Sequence, residues 1–266
     1  MALSLATLPM YDWPEIRTST DRFWTALHSG LREQGFDAPT SLSRAEDPMT
    51  VWQDDRLLLG QTCGLPYMLG LKEVTSLIGT PAYCIDCGAG SYFSVLIVAL
   101  PNDAEQLSEL KGARFGYSNA QSQSGFAAFL HRLQQPNVDD RVIAEYRETG
   151  SHRQSIEQVA SGAVDIAAID AVSWELAKRH EPAAQQVRVI GRTTPTPGLP
   201  FITRKRPASE VRKIHMAVID AMASLDEATR EDLLLIGFAE MKDADYEILG
   251  TRYSQIPPAF IPDLHP

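Results

Sequence analysis

Strand-like and helix-like runs alternate along almost all of the 266 residues, and this alternation restricts the fold more than any other feature of the sequence. "LSLATLPMY" reads as a buried strand, and "DRFWTALHSGLREQG" after it as a helix. Phe23, Trp24, Leu27 and Leu31 fall on one face of that helix, and Gly35 sits where a helix C-cap is expected. "TSLSRA" reads as a short strand, "DPMTVWQDD" as a short helix, and "RLLLGQTCG" and "VTSLIGTPAY" as further strands. "YFSVLIVALP" is apolar and β-branched, as a central strand should be.

From Ala113 to Ala171 the order is strand, helix, strand, helix, strand: "ARFGYSNA", a helix with Phe126, Phe129, Leu130 and Leu133 at three- and four-residue spacing, "RVIAEYRETG", "SHRQSIEQVASG" and "AVDIAAID". "QQVRVIGRT" is one more strand. The chain from Ala208 reads as helical, through "ASEVRKIHMAVIDAMASL" and "DEATREDLLLIG". Such alternation implies an α/β fold in which each lobe is a mostly parallel sheet flanked by helices. The compact middle predicts two lobes, one of residues 1–96 with 191–266 and one of 97–190, with a ligand cleft between them. The linking strands near 91–100 and 187–193 would be the hinge.

The net charge of -10 argues against a nucleic-acid partner and against an anionic membrane surface, both of which need a basic footprint. No run approaches the roughly 18 continuous apolar residues of a membrane span, so no membrane insertion is expected. "RKR" at 204–206 reads as a solvated surface run. The start, "MALSLATLPMYDW", lacks the basic opening of a signal peptide, so the expectation is a cytoplasmic chain or one whose leader has been removed. The three cysteines, Cys63, Cys84 and Cys87, are an odd number, which rules out full pairing. Cys84 and Cys87 either form a disulfide or remain two half-buried thiols. No metal site and no cofactor are expected: metal-ligand spacing, phosphate-loop glycines and dinucleotide fingerprints are all missing.

Polar clusters follow the predicted strands, at the C-terminal ends where open α/β sheets place ligands. They are "PMYDWPE", "QTCGLPY", "SNAQSQSG" and "TGSH", with Asp170 ending the last strand of the compact middle. Ser122, Ser124 and Gly125 stand just ahead of one helix, and Ser151 and His152 open the next. Helix N-termini offer free N–H groups and a positive dipole end, and so hold anions without formal charge. The residues alone also admit plainer roles. "QSQSG" serves as an N-cap and turn, Asp170 caps the following helix, and Tyr11 and Tyr67 pack.

In order along the chain these clusters resemble the substrate-binding components of phosphate, phosphite and phosphonate ABC transporters, which have the type II periplasmic-binding-protein fold. The resemblance runs through "LPMYDWPE" at 8–15, "LLLGQTCGLPY" at 57–67, "SELKGARFGYSNAQSQSG" within 91–126, "TGSHRQSIEQVASGAVDIAAIDAVSW" at 149–174 and "TPGLPFIT" at 196–203. It implies a monomeric, periplasmic, non-catalytic protein that binds a small phosphorus oxyanion and delivers it to an ABC permease. It also implies an anion cradle of Ser122, Gln123 and Ser124, where the family usually carries a Ser-Thr-Ser-Gly-like run, with His152 at a helix start and Asp170 after a strand. Tyr11 and Tyr67 would be aromatic walls, with Thr62 beside them in "QTCGLPY". Two other classes stay open: an enzyme on the same fold with Cys63 as nucleophile and His152 as base, and a cytoplasmic ligand sensor.

Overall fold

The computed structural model describes residues 4–136, 138 and 140–257, so the readings that touch residues 1–3 and 258–266 lie outside the described residues. The strands are β1 (Leu5–Thr7), β2 (Leu57–Gln61), β3 (Thr75–Tyr83), β4 (Ser91–Tyr92), β5 (Ser94–Ala99), β6 (Ala113–Tyr117), β7 (Ile143–Glu148), β8 (Ile166–Asp170), β9 (Val187–Arg192), β10 (Thr196–Pro197), β11 (Phe201–Arg204) and β12 (Leu235–Ala239). The α-helices are α1 (Arg17–Glu33), α2 (Pro48–Gln53), α3 (Gly64–Pro66), α4 (Lys72–Val74), α5 (Ala128–Leu133), α6 (His152–Ala160), α7 (Ala171–His180), α8 (Ala208–Ser224), α9 (Glu227–Asp232) and α10 (Asp243–Ser254).

The chain divides into two compact units. The first comprises the chain up to Ser91 and Pro197–Glu247; the second comprises Tyr92–Thr196 and the chain from Ile248 on. The crossings thus fall at 91/92, 196/197 and 247/248, while β5 and β9 are strands of the second unit's sheet rather than linkers. The segment from Ile248 also belongs to the second unit, where the sequence reading gave it to the first.

The first unit holds a sheet of order β1-β2-β11-β3-β12. Only β1 and β2 pair in parallel; β11 runs against β2 and β3, and β12 runs against β3. Phe23, Trp24, Leu27 and Leu31 of α1 are all buried, and Gly35 just past its end has φ +87°. Two expectations fail here. "TSLSRA" forms no strand: its Ser43 N–H donates to the Ala6 carbonyl at 2.7 Å and leaves it at once. "DEATREDLLLIG" is helical only to Asp232. Leu234 takes a left-handed φ of 56°, and the chain then turns into β12, the edge strand on β3.

The second unit holds a sheet of order β7-β6-β8-β5-β9. β6 pairs in parallel with β7 and with β8, whereas β5 runs against both β8 and β9. The sheets are therefore mixed, not mostly parallel. In both sheets the first full strand after a crossing runs against its two neighbours: β5 lies antiparallel between β8 and β9, and β11 antiparallel between β2 and β3.

Tyr246 of α10 ties the first unit together beside the crossings. It is fully buried, its hydroxyl donates to the Gly198 carbonyl at 3.0 Å, and it accepts from Thr80 Oγ1 at 2.5 Å. Gly198 in turn donates its N–H to the Gly90 carbonyl at 2.8 Å. Tyr246→Phe strands two buried polar groups, so it should lower stability by about 1–3 kcal/mol. A urea titration should show the midpoint falling with the slope unchanged.

Candidate functional site

Because β6, β7 and β8 run the same way, their C-terminal ends lie on one edge of the second sheet. Each feeds a helix start there. After β6 comes the loop 118–122, then a π-turn at Gln123–Ala127 and α5; after β7 comes α6; after β8 comes α7. The apolar spacing read from the sequence holds the first of these down. Phe129 stacks on Phe115 of β6 with ring centroids 3.7 Å apart, and Phe126 lies 4.7 Å from the Tyr117 ring. The π-turn itself packs on β8. Single-turn π segments within helices are frequent at functional sites.

Each start is capped by a side chain. Ser122 Oγ accepts the Gly125 N–H at 2.9 Å, Ser151 Oγ accepts the Gln154 N–H at 3.1 Å, and Asp170 Oδ1 accepts the Ser173 N–H at 2.9 Å. The other first-turn N–H groups of a helix have no partner inside the helix. The loops are also tied to each other: the N–H of Thr149 donates to the Tyr117 carbonyl at 2.8 Å, and that of Gly150 to the Ser118 carbonyl at 2.9 Å. Ser124 Oγ and His152 Nε2 are 2.9 Å apart and join the first helix start to the second. Ser122, Gln123, Ser124 and Asp170 are all buried.

His152 is half-buried as a residue, but its ring nitrogen Nδ1 has no contact with solvent. Burial drives its pKa from 6.5 down to about 4, against a smaller opposing pull from the Ala168 carbonyl. The ring is therefore neutral at pH 7. Its folded pKa is depressed, so the stability it allows is present above pH 6.5 and is lost as pH falls toward 4.

Ser118 was not singled out as a site residue, yet it belongs to this loop's interior. A Cβ on Gly125 would lie 2.4 Å from Ser118 Oγ, 3.0 Å from Ser122 Oγ and 3.2 Å from His152 Cε1. Gly125 is thus required because the loop's own hydroxyls and imidazole occupy the space a side chain would take.

Tyr11, Thr62 and Tyr67 belong to the first unit. Tyr11 is buried edge-on to Tyr83, with centroids 5.1 Å apart. It lines a narrow pocket of about 30 Å³ with Leu8, Phe23, Gln61 and Tyr83 among others. Gln61 Nε2 donates to the Tyr83 hydroxyl at 2.9 Å; this pair was not anticipated. Thr62 is fully buried, its N–H donating to the Pro200 carbonyl at 3.1 Å and its hydroxyl to the Cys63 carbonyl at 3.3 Å. Tyr67 is also fully buried, and its hydroxyl donates to Asp243 Oδ1 at 2.5 Å; burial, then that carboxylate, raise its pKa. Cys63 is the N-cap residue of α3; Cys63, Cys84 and Cys87 are not joined in disulfides, and Cys84 is exposed. Among the described residues no group of His, Cys, Asp and Glu is arranged to hold a metal ion, and no helix is long and apolar enough to cross a membrane.

The fold and this arrangement define a solute-binding protein of the type II periplasmic-binding-protein class. Residues 52–246 match the family described as ABC transporter, phosphonate, periplasmic substrate-binding protein, and the chain belongs to that family. Among solved structures it is similar to a binding protein component of an ABC phosphonate transporter from Pseudomonas aeruginosa, at 17% identity and a TM-score of 0.73, covering 98% of this chain and 90% of that one. It is similar as well to PhnD1 from Prochlorococcus marinus in complex with methylphosphonate, at 18% identity and a TM-score of 0.72, covering 96% and 99%. XAC2383 from Xanthomonas citri, in a structure bound to ATP, is 16% identical with a TM-score of 0.71, covering 96% and 98%. No curated protein matches the chain.

Two outcomes test this site's construction. Gly125→Ala should lower stability by about 1–3 kcal/mol, because three side chains must move aside. His152→Gln should flatten the pH dependence of unfolding between pH 6.5 and 4, where the histidine removes at most roughly 3 kcal/mol. Urea titrations across that range read both.

Proposed function

We propose that the second unit receives a small phosphorus oxyanion at the shared edge of β6, β7 and β8, and that the protein hands this ligand to an ABC permease without chemical change. The observation that carries the reading is the joining of two helix starts by the Ser124–His152 contact of 2.9 Å, with a third start, at Asp170, on the same sheet edge. Ser122, Gln123 and Ser124 would supply hydroxyl, amide and main-chain donors, and His152 a neutral imidazole. Family membership supports a transport role rather than an enzymatic one, and a periplasmic location. Tyr11, Thr62 and Tyr67 of the first unit are the further ligand contacts that the family resemblance implies.

Asp170 constrains the ligand's chemistry. A fixed carboxylate repels a fully deprotonated oxyanion, so the favoured ligand brings a proton on oxygen or an amine on its organic part. Phosphate, phosphite and aminoalkyl- or alkylphosphonates meet one of these conditions near pH 7; sulfate meets neither.

A thermal-shift screen over phosphate, phosphite, methylphosphonate, 2-aminoethylphosphonate, sulfate and nucleotides tests the reading. A ligand at a hundredfold excess over Kd adds about 2.7 kcal/mol to stability. The expected result is a rise in Tm with at least one phosphorus oxyanion and none with sulfate. Ser124→Ala should then weaken the best ligand by about 1–2 kcal/mol in calorimetry, since one donor to a charged acceptor is lost. A flat screen, or unchanged affinity in Ser124→Ala, refutes the assignment.

A further inference from the structure

Ser94 lies on β5, is 1% exposed, and carries no role in the site described so far. Its main chain is fixed on both sides. In the β5–β8 ladder it stands opposite Asp170. On the other side its N–H donates to Thr193 Oγ1 at 2.9 Å and its carbonyl accepts the Thr193 N–H at 2.8 Å. With the backbone held, the hydroxyl donates to the Ser124 carbonyl at 2.9 Å.

That acceptor is half of a single peptide unit whose other half is the Gly125 N–H. The N–H is also held, by Ser122 Oγ at 2.9 Å. The planar peptide between Ser124 and Gly125 is therefore gripped at both ends, and a planar unit so gripped cannot rotate without losing both bonds. Its orientation sets where Ser124 points, and Ser124 Oγ lies 2.9 Å from His152 Nε2. One serine thus links the strand position beside the Asp170 cap to the π-turn that presents Ser124.

We propose that Ser94 is a positioning residue of the anion site: its hydroxyl fixes the Ser124–Gly125 peptide and so pre-organises the Ser122–Ser124 donors for the ligand. Pre-organised donors lose less freedom on binding, so affinity depends on this bond although Ser94 does not touch the ligand. The proposal rests on the oxyanion reading above.

The test measures three variants beside the wild type: Ser94→Ala; Ser94→Cys, which keeps the shape at slightly larger volume but donates weakly; and Ser94→Thr, which keeps the hydroxyl. Calorimetry with inorganic phosphate and with methylphosphonate should show affinity falling about three- to tenfold in Ser94→Ala and Ser94→Cys, and largely restored in Ser94→Thr. Ligand-free amide exchange should accelerate across 122–127 in the first two variants while β6 and β8 stay protected. A purely structural serine would lower Tm and leave Kd unchanged, and that result overturns the proposal. If the wild type binds neither probe, the oxyanion reading falls instead. The exchange arm then still decides whether Ser94 holds the turn, with unchanged protection at 122–127 counting against it. Should Ser94→Ala not fold, Ser94→Cys carries both measurements.

Discussion

A parallel pair of ladders through β6 brings the C-terminal ends of β6, β7 and β8 to one edge, and nearly everything of functional interest in the second unit depends on that register. Three helices must start within the next few residues, because a chain leaving a parallel strand has to return across the sheet before it can pair again. Their caps then stand side by side. Ser122, Ser151 and Asp170 each satisfy one N–H of their own helix. The antiparallel β5, entering from the other unit, places Ser94 beside Asp170 and within reach of the π-turn. A strand whose direction breaks the sheet's pattern thus supplies the bond that holds the turn.

Much of this was legible in the sequence for simple physical reasons. The buried face of α1, the capping of α6 by Ser151 and the strands β2, β3 and β5–β9 follow from apolar periodicity and cap chemistry, both of which are local. What escaped was decided by partners far away in sequence. β12 reads as the end of a helix, because "LLLIG" has no alternation. It becomes a strand only because β3 offers an edge. The direction of β5 and β11 is likewise a property of the neighbours they insert between. "RKR" reads as a solvated run, yet Arg206 donates to Thr203 Oγ1 at 3.0 Å, pairs with Glu210 at 2.8 Å and lies over the Phe36 ring.

The candidate site residues show the same division. The places of Ser122, Ser124, His152 and Asp170 at helix starts are legible because cap residues cluster ahead of helices. Ser94 does not, since a serine opening an apolar strand has no local signature. Its role appears only once the Ser124 carbonyl lies across from it. Ser118 is similar: its function, filling the space above Gly125, is a matter of 2.4 Å of clearance that no spacing rule reports.

The electrostatics explain how a chain of net charge -10 could favour an anion. Long-range repulsion from scattered surface carboxylates is largely screened beyond about 8 Å at physiological salt. Inside the proposed site short-range terms would decide, and the proposed cradle residues, Ser122, Gln123 and Ser124, include no Lys or Arg. The groups proposed to meet the ligand are hydroxyls, an amide and helix N-termini, beside an imidazole that burial keeps neutral, and all are directional groups rather than point charges. A guanidinium would attract any anion of sufficient charge, sulfate included. Directional neutral donors reward instead the count and placement of a ligand's oxygens, and in the proposed site the carboxylate of Asp170 would penalise one with no hydrogen to offer. Selectivity in such a site depends on holding each donor in place, which is why the orientation of one peptide plane between Ser124 and Gly125 should weigh more than the charge of the whole protein.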